Sequence, residues 1–378
     1  MTSILRAFMR VLITGAFELL VLAAPRSNAQ PAAPLASRTL TNLFEIWSMS
    51  LEDRRKAYPI EFEFEVHYWD RLWNVAWGKV YDAPSFLPFA NCPYPLKPGS
   101  RFSLSGVIFP DREQFDWNRT TLTPLGESPL KFEPIEGLNA GQQYASRLVS
   151  VNVLVDAASE DPGRWNLRVL DTHASANAIV MASTNILRIT PGDYIRLSCV
   201  YFPQFDKDGQ LKETTLFVPR AEDVVLIGNL NTDPRFEALR RKSEDIREDS
   251  RTNRYYVVEG IVRNHEPGKW LTIWDETGQI TIQSEQTLPV RIGQRVRAFG
   301  KPQLLGVERF LRGGLYRPVH STSGTSSGEI VPDRFYLAEQ IRTFRVKRGQ
   351  QPPPVSLRAT VTWSDTNVPF AYVQDASG

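Results

Sequence analysis

Three tryptophans, Trp69, Trp73 and Trp77, follow one another at intervals of four residues. On one continuous strand, even offsets share a face, and an aromatic stripe of that kind can stack on a sugar ring or a base. Trp69 and Trp73 are therefore the candidate ligand-binding residues. The competing reading is that these indoles fill a core or a contact between domains, and the equivalent placement of Trp77 and Trp270 within a repeat gives it weight.

Other reactive side chains assemble into nothing. His67, His173, His265 and His320 lie in separate segments, with no pair at helical i, i+4 spacing and none beside a cysteine, so no metal site is expected and surface or turn positions are. Cys92 and Cys199 fall in different segments and suggest neither a disulfide framework nor a zinc site, only small buried residues. The sequence holds no Gly-x-Ser-x-Gly elbow, phosphate loop or dinucleotide fingerprint, and no carboxylate pair stands out as general acid and base. The expectation is no catalytic residue and no cofactor.

The 378 residues carry 44 basic against 42 acidic side chains, a net charge of +2. That balance gives no broad positive field, so no nucleic-acid partner is expected. At the amino terminus Arg6 and Arg10 precede an apolar run from Val11 to Ala24 and a small-residue Ser27-Asn28-Ala29 stretch, the shape of an export signal cleaved after Ala29. The run is short for a membrane span and contains Glu18; an uncleaved anchor is the alternative. An extracytoplasmic location follows as an expectation, with membrane attachment only through residues beyond the C-terminus.

The elements that must position these side chains repeat. Trp77-Gly-Lys-Val-Tyr-Asp82, Asn166-Leu-Arg-Val-Leu-Asp171, Trp270-Leu-Thr-Ile-Trp-Asp275 and Phe370-Ala-Tyr-Val-Gln-Asp375 align on a closing aspartate with a β-branched residue two places before it. Alternating strands precede them at Ile60–Val66, Leu148–Val155, Tyr256–Val262 and Val355–Val361. Gly99, Gly192 and Gly293 follow the first three aspartates by 17, 21 and 18 residues, and each leads a further strand. A hairpin between strands two and three and a glycine-led fourth strand describe a small Greek-key barrel of the OB type. An immunoglobulin-like sandwich is the alternative, but 70 to 100 residues per repeat is too few and no Cys and Trp pin occurs.

The expected fold is mainly β, tandem OB-like five-stranded β-barrels joined by short helical connectors. The predicted layout is a signal peptide over 1–29, linker and helix over 30–57, repeats over 58–140, 141–232 and 253–331, helical connectors over 233–252 and 332–350, and the start of a truncated fourth repeat over 351–378. Helix is predicted for Leu40–Ala57, Pro234–Asp249 and Pro332–Lys347.

Tyr256-Val-Val-Glu-Gly-Ile-Val262, Leu271-Thr-Ile-Trp-Asp-Glu-Thr-Gly-Gln-Ile280 and Ile292-Gly-Gln-Arg-Val-Arg-Ala-Phe-Gly300 resemble the OB-like repeats found in tandem in the extracytoplasmic regions of certain bacterial sensor histidine kinases. The resemblance extends over most of residues 40–378. It implies a sensing region that precedes membrane helices and a kinase core, and neither a phosphoacceptor-histidine motif nor an ATP lid occurs in this sequence. The ligand expected is a small molecule, a glycan or a protein; the alternative function is a secreted, non-catalytic carbohydrate- or protein-binding module.

Overall fold

The computed structural model describes residues 35–181, 188–238, 240–246, 255–305, 308–319, 341, 354–355, 360–364 and 371–374. The export-signal stretch, the Pro332–Lys347 segment apart from Ile341, His320 and Asp375 lie outside them. The chain divides into two compact units, 1–227 and 228–378.

In the first unit a short helix, α1 (Phe44–Ser48), and a 3-10 turn (Asp53–Arg55) precede β1 (Tyr58–Asp70), β2 (Val75–Val80), β3 (Ala83–Leu87), β4 (Ser100–Phe109), β5 (Gln114–Phe115) and β6 (Thr121–Glu127). There follow β7 (Glu133–Pro134), β8 (Leu148–Asp161), β9 (Arg164–Leu170), β10 (Ser175–Met181), β11 (Asp193–Phe205), β12 (Leu211–Val218) and β13 (Val224–Asn229). The second unit holds β14 (Tyr256–Glu266), β15 (Trp270–Trp274), β16 (Gln279–Gln283), β17 (Arg295–Leu305) and β18 (Glu308–Pro318), then the hairpin β19 (Thr360–Ser364) and β20 (Ala371–Gln374).

The OB-like reading holds in the strand order. β14-β15-β16-β18-β17 form a closed barrel, and β8-β9-β10-β12-β11 close in the same order because β11 pairs back onto β8. In both, the third and fifth strands run parallel and the remaining pairs antiparallel. The first repeat keeps the order β3-β2-β1-β4-β6 without a ladder between β3 and β6. Proline explains the gap: Pro84 in β3 and Pro124 in β6 lack the donor a ladder requires. Phe89, Phe115 and Trp117 pack edge-on or tilted across one another within this repeat's core.

One irregularity recurs where periodicity alone gives no sign of it. The first strand of each repeat breaks register against the second between Val66 and Tyr68, Val155 and Ala157, Val262 and Asn264, and Val361 and Trp363. Such a β-bulge inserts one residue and sharpens the bend that lets a strand serve both sides of a barrel. It is fixed from the neighbouring fourth strand: the N–H groups of Gly99, Gly192 and Gly293 donate to the carbonyls of Val66, Val155 and Val262 at 2.7, 2.8 and 2.8 Å. All three glycines have φ between 86° and 96°, which side chains resist.

The connectors differ from the predicted helices. Leu40–Ala57 gives only α1 and one 3-10 turn, and the described part of Pro234–Asp249 gives the 3-10 turns Pro234–Glu237 and Ser243–Asp245. The segment before each barrel, including Glu133–Pro134 ahead of the second, instead lays a residue parallel to the start of that barrel, at Leu40↔Ile60, Pro134↔Ser150 and Arg240↔Val257, and such extended pairing excludes a helix at those residues. Leu40, Leu43 and Ile46 then join the first core, Leu138 the second and Ile246 the third. Each such burial contributes roughly 1.5–3 kcal/mol, so a connector belongs to the barrel it precedes.

Candidate binding site where two hairpins meet

The first two barrels share a cluster of their own. Beyond the bulge at His67 the parity of β1 reverses, so Tyr68 points outward and Trp69 inward. Tyr68 and Trp77 lie against Ile179, Val200 and Phe217 of the second barrel. Ring centroids stand 5.1 Å apart for Tyr68 and Phe217 and 4.9 Å for Trp77 and Phe202. The Tyr68 hydroxyl donates to Met181 Sδ at 3.3 Å, and burial raises its pKa far above the usual phenol range.

At the edge of this seam, the β1–β2 turn of one barrel meets the β8–β9 turn of the other. Asp70, 1% exposed, accepts the N–H groups of Leu72 and Trp73 on Oδ1, shaping its turn as aspartate does. Its Oδ2 accepts from Arg164 Nη1 at 3.2 Å, and Arg164 is itself 8% exposed. The Arg164 guanidinium lies over the Trp73 ring, 3.3 Å from its centroid. Asp161 Oδ2 stands 3.5 Å from Arg164 Nε, and that nitrogen is buried without a hydrogen bond. Gly163, with φ +80°, brings the second turn close to Leu72. Trp73 and Leu72 remain 48% and 67% exposed. An indole held on one side by a buried, paired guanidinium cannot fold away, and it can offer surface to a ligand.

The three tryptophans do not form the stripe that their spacing suggests. The bulge and the turn at residues 71–74 interrupt the strand, so Trp69 packs in the first core, Trp77 in the seam and only Trp73 reaches the surface. Two histidines also depart from the surface reading. His67 is buried beside Glu65, 3.4 Å away, and its hydrogen bond with burial opposing it holds the Glu65 carboxyl below the ordinary range. His265 Nε2 lies 2.9 Å from the Tyr316 hydroxyl, and burial pulls its pKa down to about 4. His173 is exposed in a turn. Both cysteines are buried and free, with the Cys92 thiol pushed up to about 11 by burial.

Asp70 and Arg164 escape the sequence reading. The turn-forming position of Asp70 is a usable signal; nothing local marks Arg164 as its partner 94 residues away. Among the described residues no three His, Cys, Asp or Glu side chains gather as a metal site, and no helix is long and apolar enough to cross a membrane.

No protein-family profile and no curated protein matches the chain. Among solved structures it is similar to the HINb domain of p204, at 16% identity over 44% of this chain and 95% of that one, with a TM-score of 0.20. It is also similar to a murine DNA-binding protein bound to double-stranded DNA, at 12% identity over 47% and 98% with a TM-score of 0.20. A third likeness is to OBody AM3L09 bound to hen egg-white lysozyme, at 10% identity over 27% and 99% with a TM-score of 0.20. The DNA complex runs against the expectation of no nucleic-acid partner, but likeness at this level fixes nothing about what this chain binds.

Proposed function

We propose that the chain is a non-catalytic binding region, the extracytoplasmic sensing part of a signal-transduction protein of the sensor histidine kinase type. Its leader-shaped N-terminus and the resemblance of residues 256–300 support that reading. The observation that carries it is the Trp73 platform, wired through Arg164 to Asp70 at the edge of the seam between two barrels. A ligand that stacks on the indole bears on the ion pair joining the barrels. It shifts their packing by its differential affinity for the two arrangements.

The secreted carbohydrate-binding alternative would use the same indole, without Trp69, whose ring is in the core. Sequencing the gene beyond the codon for Gly378 separates the two. Membrane helices followed by a phosphoacceptor histidine are expected; a stop codon soon after one more barrel would overturn the sensing reading.

A further inference from the structure

The outer face of the third barrel, across β14, β17 and β18, carries a cluster of arginines. Val258, Val262, Val296, Ala298 and Tyr316 point into the core, so Glu259, Arg295, Arg297 and Arg317 stand on the outer face. The ladders set Glu259 across from Arg297, and Arg297 across from Arg317. Like charges directly opposite each other repel. Glu237, in the connector turn Pro234–Glu237, relieves the pair: its Oε1 lies 3.2 Å from Arg297 Nη1 and accepts from Arg317 Nη2 at 2.7 Å. The two arginine side chains are nearly enclosed, 12% and 11% exposed, whereas that of Glu237 is 67% exposed. Both guanidiniums are also held in place. Arg297 reaches Glu259 Oε2 through Nε and Nη2, each at 3.1 Å, and Arg317 lies 4.5 Å over the Phe236 ring and donates to the Leu230 carbonyl at 3.1 Å.

We infer that Arg297 and Arg317 form a phosphate-binding site, for which the Glu237 carboxylate is a tethered stand-in. Charge favours a doubly charged oxyanion. Among the described residues, Arg240, Arg295, Arg297 and Arg317 share Glu237 and Glu259, which leaves an excess of two positive charges. Arg235 is matched by Asp233, and Arg241, over Tyr256, adds to the excess. Glu237 serves both guanidiniums with one oxygen, whereas a phosphate brings three acceptor oxygens to two fixed forks. The connector keeps its place without this carboxylate, because Phe236 is buried against Phe299, 4.8 Å between centroids, and Leu230 is buried as well. A tethered competitor weakens an incoming ligand and leaves the site itself intact.

The site lies in the second unit, apart from Trp73, and is independent of the sensing reading, which the downstream gene sequence decides. The test is isothermal titration of the full chain with inorganic phosphate, against chloride at constant ionic strength. Glu237→Ala removes the competitor and should tighten phosphate binding roughly tenfold, the scale of one hydrogen bond to a charged group. Arg317→Lys, which keeps the charge and loses the fork, should reverse that gain in the Glu237→Ala background, and Arg240→Gln should weaken binding by less, each with unchanged circular dichroism. Vesicles of phosphatidylcholine with phosphatidic acid separate two sources of the group. Capture of the Glu237→Ala chain that free phosphate competes away assigns a lipid headgroup; phosphate binding without capture assigns a soluble phosphate compound. The inference is overturned if Glu237→Ala binds phosphate no more tightly than the wild type, if the gain survives Arg317→Lys, or if a thymidine oligonucleotide binds through Arg317 and free phosphate does not compete.

Discussion

Trp77 of the first barrel and Trp270 of the third stand at the same place, five residues before the closing aspartate and outward on strand two, yet they meet different fates. Trp77 is 2% exposed, packed edge-on against Phe86 and against Phe202 and Phe217 of the second barrel. Trp270 is half-buried beside a strand-mate, Trp274, that is largely open. The cross-strand partner makes the difference: Phe86 faces Trp77, whereas Gln283 faces Trp270. An aromatic pair on an outer face is a patch that demands cover; a tryptophan beside an amide is a face that water tolerates. The neighbour on the next strand, more than the tryptophan itself, tells whether a barrel face is a contact or a surface.

The sharpest way to break this comparison is to truncate both tryptophans. Trp77→Ala should destabilise the first unit by about 3–5 kcal/mol, the cost of emptying a well-packed aromatic site. Trp270→Ala should cost the second unit about 1 kcal/mol or less, as a partly exposed position does. Urea unfolding followed by circular dichroism measures both. Equal losses would mean that the third-barrel face is packed as tightly as the seam.

The strand order was legible in the sequence because its markers are steric. Val80, Val169 and Ile273 fill cores, and Gly99, Gly192 and Gly293 take a backbone conformation that other residues avoid. The bulge was not legible, because the inserted residues His67, Asp156 and Arg263 share no chemistry. Without the bulge the inward turn of Trp69 is hidden, and the Trp69–Trp73 stripe fails because the turn at residues 71–74 ends β1 between them. The candidate site was half legible. Trp73 stood out by type, whereas Asp70 and Arg164 acquire their roles only when two distant turns meet.

The bulge also sharpens the comparison through pH. Three residues past the bulge valine, the first barrel has Trp69 and the third has His265. Burial lowers His265 from 6.5 to about 4, so the native barrel keeps it neutral while the unfolded chain takes up a proton below about pH 6.5. Its contribution is complete above that value and is lost as pH falls toward 4, by at most about 3 kcal/mol. In the first barrel the Glu65 carboxyl, held low by His67, contributes above its unfolded value of about 4.5 and fails only below that. Urea midpoints at about pH 7.5 and pH 5 should therefore drop for the second unit and change less for the first, and His265→Gln should flatten the second-unit response. A second-unit midpoint that ignores pH would remove the histidine from this role.

The smallest expected difference lies in the repeat marker itself. Asp275 accepts the N–H groups of Thr277 and Gly278 in its turn and that of Ser243 from the preceding connector, and Asp171 does the same for His173, Ala174 and Leu138. Each aspartate thus closes a hairpin and holds a connector to its own barrel. Asp82 stands at the matching place with a fully exposed side chain, and its recorded ion-pair partner is Lys79 at 3.8 Å. Asp275→Ala leaves three backbone N–H groups and the Thr277 hydroxyl short of an acceptor and should cost about 1–3 kcal/mol, whereas Asp82→Ala should stay within about 0.5 kcal/mol. Thermal unfolding of the two variants checks this. If Asp82→Ala costs as much as Asp275→Ala, the aspartate serves the strand end alone, and the connector tie contributes nothing to stability.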